Sequence, residues 1–153
     1  MYPSKYIEYL LLFHLNRDYF ECHEVMEEFW KKEGKGNSLW KGLIQLAVIF
    51  YHYRRNNFAG AKKLIRKATT YFHNCKEDVE KFGIDSNQLF QLLKETEEGI
   101  LENKPYRPIA IPIVDEQLIN ICAFSDEQFP KLLVNPMENS DPFIVHKHLF
   151  RDR

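Results

Sequence analysis

Residues that interrupt regular structure are few in this chain: 6 Gly and 7 Pro among 153 residues. So little punctuation leaves room for long helices and excludes a collagen-like or low-complexity chain. Cysteine is scarcer still. Cys22, Cys75 and Cys122 lie far apart and form no CxxC pair. That removes a disulfide framework, a thiolate zinc cage and a dithiol redox site, and it fits a reducing cytoplasmic setting. An excess of one charge is also missing, because 21 Lys+Arg stand against 22 Asp+Glu. General attraction to nucleic acid or to an anionic membrane is therefore not expected. Leu46–Tyr51 is the longest apolar run, and Leu10–Phe13 sits between Glu8 and His14. Neither approaches the roughly 20 residues of a bilayer span, and the N-terminal run is too short for a secretory leader. What the chain has in quantity is rings: 12 Phe, 8 Tyr and 2 Trp. One domain with a dense helical core follows, since a chain of this length buries roughly two thirds of its unfolded surface and needs no metal or disulfide to fold.

Pro3 suits a first helical turn, and Tyr6, Tyr9, Leu10 and Phe13 then recur at spacings of three and four until Asn16-Arg17. Asp18 with Glu21 reads as a capping box opening a second helix, Tyr19 to Glu33, which Gly34-Lys35-Gly36-Asn37 stops. Ser38 is read as the cap of a third helix reaching about Asn56, and Asn57 as the cap of a fourth from Phe58 to about Phe82, ended by Gly83. A fifth begins at Asp85 or Ser86 and finishes before Pro105. Short links force antiparallel neighbours, so the expected fold is all-α, an antiparallel bundle of about five to six helices over residues 1–103. From Lys104 the sequence K-P-Y-R-P-I-A-I-P imposes an extended path. Residues 104–153 read as a proline-rich C-terminal arm packed on the bundle, with a short helix at Asp115–Phe124, and not as a separate domain.

Chemistry-bearing residues concentrate on two helices. His23 and Glu27 lie one turn apart on one face of the second helix, with Glu24 beside them. The third helix carries Gly42, Gln45, Ile49 and His52 in line, although Leu43, Leu46, Ala47, Phe50 and Tyr53 mark it as central. Gln45 and His52 then need partners, because an unpaired buried polar group costs about 1–3 kcal/mol. The nearest supply is the His/Glu face of the second helix. His23, Glu24, Glu27, Gln45 and His52 are therefore read as one constellation, able to hold a divalent metal (zinc, manganese or iron) or to form a hydrogen-bond network that ties two helices together. The protease motif HExxH is absent, since Glu27 stands where the second histidine would be. Trp30 and Trp40 flank the Gly-rich turn as anchors, and His14 and His73 read as packing or surface residues. His146 and His148, two apart, would point to opposite sides if the tail is extended, which makes a metal role there weak. Arg54, Arg55, Lys62, Lys63, Arg66 and Lys67 make a basic stretch that reads as a helix end and a solvated face, with an RNA or phosphate surface as the weaker alternative.

The stretches Y-F-E-C-H-E-V-M-E-E-F-W (19–30) and G-L-I-Q-L-A-V-I-F-Y-H-Y-R-R-N-N (42–57), followed by Gly60-Ala61, resemble the uncharacterised family known as domain of unknown function 309 over about residues 13–75. The resemblance implies an all-helical bundle of bacterial and archaeal cytosolic proteins, sometimes labelled a predicted metal-dependent hydrolase. It places the family's polar hallmarks on His23, Glu24, Glu27, Gln45 and His52, and its structural ones on Trp30 and Gly42. Two functions stay open. In a metal-dependent hydrolase-like site, His23, Glu27 and His52 hold the ion, Glu24 orients a histidine or acts as base, and Gln45 fixes substrate or water. In the alternative, a non-enzymatic helical module binds a protein or peptide and the cluster fixes helix register. The partner is an unknown small molecule or peptide, not a membrane, and a homo-oligomer is compatible with the sequence.

Overall fold

The computed structural model describes residues 2–33 and 36–151, the side chains of 150 and 151 excepted. It is all-α: α1 (Ser4–Leu11) runs into a π-helical turn (Leu12–Asn16), followed by α2 (Tyr19–Lys32), α3 (Ser38–Arg54), α4 (Phe58–His73), α5 (Lys76–Lys81), α6 (Ser86–Leu101), α7 (Glu116–Ser125), α8 (Phe129–Val134), α9 (Pro142–Val145) and α10 (His148–Arg151). Among the described residues the only β pairing is an isolated bridge between Ile84 and Ile113.

α3 is the centre, as its near-continuous apolar sequence dictates, with α2 on one side and α4 on the other. Its crossing with α4 depends on Gly42: a Cβ there would lie 2.6 Å from Cε1 of the buried Phe72. The aromatic content fills the interior, where Trp40 packs against the rings of Tyr6, Phe29 and Phe82, and Phe50 against Phe13, Tyr19, Tyr53 and Tyr106.

Three local features differ from the sequence reading. Asn37, not Ser38, caps α3, its Oδ1 accepting from Leu39 N–H at 2.8 Å. The expected fourth helix breaks at Asn74-Cys75 into α4 and α5, because Cys75 is non-helical (φ −136°, ψ 37°) and its thiol donates back to the Tyr71 carbonyl. Arg54 is not part of a basic surface, since its side chain is only 3% exposed and donates from Nη1 to the Arg17 carbonyl at 2.8 Å. The Gly34-Lys35 half of the expected helix stop lies outside the described residues. Asp18, Asn57 and Asp85 cap α2, α4 and α6 through bonds to the N–H groups of Glu21, Gly60 and Gln88.

Residues 104–114 run without helix across the bundle and bury Ile111 and Ile113. Backbone groups of this path meet buried polar side chains. His14 in the π turn accepts from Ile111 N–H through Nε2 at 3.0 Å, and Arg17 donates to the carbonyls of Ile109 (2.5 Å) and Met137 (2.9 Å). Arg17 holds a left-handed backbone (φ 52°), a conformation few side chains adopt, to turn the chain between the π turn and α2.

Candidate functional site

His23 and Glu27 meet as their helical spacing requires, Nε2 to Oε2 at 2.9 Å, and Lys31 takes the other Glu27 oxygen at 3.1 Å. Burial pushes the Glu27 carboxyl up, but the bonds and charges of Lys31 and His23 outweigh it and hold the group below the usual range. On α3, His52 is half-buried, with Nδ1 3.1 Å from Asn57 Nδ2. Burial lowers its affinity for a proton, and the charges of Arg55 and His148 lower it further.

Four of the five expected residues line two hollows. Between α2 and α3 lies a cavity of about 240 Å³ with walls of Phe20, Val48 and Tyr51, and with His23, His52, Arg55 and His148 as its polar groups. Glu24 and Glu27 instead line a second hollow of about 330 Å³, shared with His23, Lys5, Glu28 and Lys31. Gln45 is half-buried on α3 and lines neither. The arrangement therefore makes the His23–Glu27 pair and brings His23 to the same hollow as His52, but it does not gather all five side chains.

As placed, the residues do not form a metal centre. Both Glu27 oxygens are taken by His23 and Lys31, and His23 spends Nε2 on Glu27. Among the described residues no group of three or more His, Cys, Asp or Glu side chains is placed to hold an ion.

The sequence reading missed that the far end of the chain supplies part of this cavity's wall. His148 sits on Tyr51, whose hydroxyl bonds its Nδ1 and accepts its backbone N–H at 3.0 Å. His146 Nδ1 accepts from Arg55 Nε at 2.9 Å, and Lys147 reaches Asp18 at 2.7 Å and Glu21 at 3.6 Å. Burial, then the neighbouring charges of Arg55 and His146, keep the His148 ring a weaker base than usual. The cue available beforehand was one of charge, a lysine between two histidines in the tail and two carboxylates at the start of α2, and nothing local links residues about a hundred positions apart.

A family model described as Domain of unknown function (DUF309) matches residues 6–64, from α1 into α4. The Uncharacterized protein YpuF of Bacillus subtilis (strain 168) is 41% identical over 155 residues, an alignment spanning 100% of this chain and 89% of that protein. No solved structure gives a significant match.

Proposed function

The chain belongs to the family described as Domain of unknown function (DUF309), and from that premise we propose that it works as a non-enzymatic helical module that binds a peptide segment of a partner between α2 and α3. One observation carries this reading: the cavity there has aromatic and apolar walls together with His23, His52, Arg55 and His148, the last brought to it by a C-terminal stretch that bonds Tyr51 and Arg55. Such a surface recognises ligands by ring contact and a small number of directed hydrogen bonds. The His23–Glu27 pair then fixes α2 and presents the imidazole to the cavity. Panning a random decapeptide library on untagged protein should enrich sequences whose binding is lost in Tyr51→Ala and kept in Lys63→Ala. Failure to enrich, or enrichment indifferent to Tyr51, refutes the reading.

A metal-dependent hydrolase is the second reading, favoured by the presence of His23 and His52 on one cavity. It would take zinc, manganese or iron on His23, Glu27 and His52, with Glu24 and Gln45 serving substrate or water. Elemental analysis decides: a stoichiometric metal that disappears in His23→Ala would replace the binding reading with this one. A bacterial cytoplasmic location accords with three free cysteines and with the Bacillus relative. Among the described residues no helix is long and apolar enough to cross a membrane.

A further inference from the structure

Hydrogen bonds inside the protein fix which ring nitrogen two histidines of the α2–α3 cavity have left over. The Oδ1 of Asn57 accepts from Gly60 N–H at 3.0 Å as the cap of α4, so the atom that Asn57 turns to His52 is the donor Nδ2, 3.1 Å from Nδ1. Nδ1 of His52 therefore accepts, and the proton of the neutral ring sits on Nε2. His148 is settled in the same way. The Tyr51 hydroxyl accepts the His148 backbone N–H at 3.0 Å, and among the described residues the one acceptor for its own proton is His148 Nδ1, which again leaves the ring proton on Nε2. Both rings are neutral near pH 7, because burial and the adjoining charges lower their affinity for a second proton.

The cavity is consequently rich in donors. Arg55 uses only Nε in its bond to His146, and among the described residues neither its terminal nitrogens nor the Nε2–H groups of His52 and His148 have a hydrogen bond. His23 gives its Nε2–H to Glu27 and is the one polar wall with a ring nitrogen left to accept. No carboxylate lines the cavity, since Glu27 is committed to His23 and Lys31 and belongs to the neighbouring hollow. An array of N–H groups beside one permanent positive charge suits an anion. It does not suit a metal ion, because the lone pairs an ion would take on His52 and His148 are those turned to Asn57 and Tyr51.

Size and walls narrow the choice of anion. At about 240 Å³ the cavity is smaller than the roughly 300–1,000 Å³ of drug-sized ligand sites, so it admits a single residue and not a helix. Phe20, Val48 and Tyr51 ask for an apolar body beside the charge. Aspartate and glutamate carry too little of one. The last residue of a polypeptide, when its side chain is apolar, presents that body and a free carboxylate together, and a carboxylate matches the planar fork of an arginine.

We infer that the cavity between α2 and α3 captures the C-terminal carboxylate of a partner polypeptide that ends in an apolar or aromatic residue. Arg55 and the Nε2–H groups of His52 and His148 donate to the carboxylate, and the ring walls receive the side chain. This rests on the peptide-binding reading and names what the peptide must present.

The test titrates two N-terminally fluorescein-labelled hexapeptides, Gly-Ser-Gly-Ser-Gly-Phe as the free acid and as the carboxamide, into the full chain at pH 7. By fluorescence anisotropy the acid should bind about tenfold more tightly, the difference between a charge-assisted and a neutral hydrogen bond. Arg55→Gln and His148→Ala should each abolish the preference, and Lys63→Ala should keep it. In proton–nitrogen NMR spectra His52 and His148 should show the Nε2–H tautomer before peptide is added, and both should shift with the acid. Equal binding of acid and amide overturns the carboxylate inference and leaves the peptide reading standing, as does binding of neither while library peptides still depend on Tyr51. Binding of neither with no library enrichment removes both. A preference for the acid that survives both variants and moves neither ring places the carboxylate elsewhere and overturns the assignment. Either ring in the Nδ1–H tautomer refutes the donor array.

Discussion

Acidification should weaken the fold through one side chain, His14. Its ring is fully buried in the π turn, with Nδ1 2.7 Å from the Leu10 carbonyl and Nε2 accepting Ile111 N–H at 3.0 Å. Those partners require the neutral ring protonated on Nδ1, since a proton on Nε2 would set N–H against N–H. Burial lowers the pKa, the Leu10 bond opposes it and the Arg17 charge adds to the lowering, which takes the group from 6.5 to about 3. Above pH 6.5 neither the folded nor the unfolded chain holds this proton, and stability is indifferent to it. Below 6.5 the unfolded chain takes up a proton that the folded chain refuses, so stability falls by about 1.4 kcal/mol per pH unit until the folded group titrates near 3. Between pH 7 and 4.5 the loss amounts to about 2.5 kcal/mol. Urea unfolding at pH 7, 5.5 and 4.5 measures it, with His14→Gln as the comparison, because an amide can serve both backbone partners without titrating. Wild type should lose about 2.5 kcal/mol more than the variant over that range. Parallel pH dependences, or an NMR titration of the His14 ring near 6.5, would refute the reasoning.

Arg17→Ala removes the bonds to Ile109 and Met137, each worth about 1.5–3 kcal/mol for a charged donor; chemical denaturation should show a loss of at least about 3 kcal/mol, with faster amide exchange in 106–113 and 137–149. Arg17→Gly relieves the left-handed backbone and should recover only a fraction of that loss. Gly42→Ala drives a methyl into the Phe72 ring, and since both lie in the core it should cost about 1–3 kcal/mol in a urea titration; a neutral result would mean the α3–α4 crossing has slack. Asn57→Ala removes the α4 cap, for about 1 kcal/mol, and should also shift the His52 ring resonances, because the same side chain contacts Nδ1.

The sequence made the bundle legible wherever a rule of short range applied. Capping residues Asp18, Asn57 and Asp85, the stop at Gly83 and the apolar run of α3 each announce themselves within one or two helical turns. Spacing also paired His23 with Glu27 correctly. It failed where the partner lies off the helix face that spacing selects, whether five residues away or across the chain. Gln45 and His52 were assigned to the acidic face of α2 because both need partners, yet His52 is satisfied by Asn57, five residues on, and looks across the cavity at His148. His14 looked isolated because its second partner is a backbone N–H 97 residues away. No periodicity encodes a bond to a main-chain group.

That last failure bears on how the family match and the relative divide the chain. The family model stops at residue 64, whereas YpuF aligns across the whole length. The side chains that receive the C-terminal stretch, His14, Arg17, Asp18, Tyr51, Arg54 and Arg55, all lie inside the matched region. His14 and Arg17 are met by backbone, the N–H of Ile111 and the carbonyls of Ile109 and Met137, whereas Asp18, Arg54 and Arg55 are met by the side chains of Lys147, Glu138 and His146, and Tyr51 by both the ring and the N–H of His148. Any residue but proline can supply an N–H, and every residue supplies a carbonyl. Around His14 and Arg17 the receiving surface therefore imposes little on the sequence it holds, and that part of the arm can change residue by residue while its attachment persists. Permissiveness in the buried part, where Arg17 clamps the chain, costs nothing in occupancy because Ile111 and Ile113 add apolar burial. At 146–148 most contacts are made by side chains instead, so there the receiving surface selects an imidazole, an ammonium and a second imidazole in sequence.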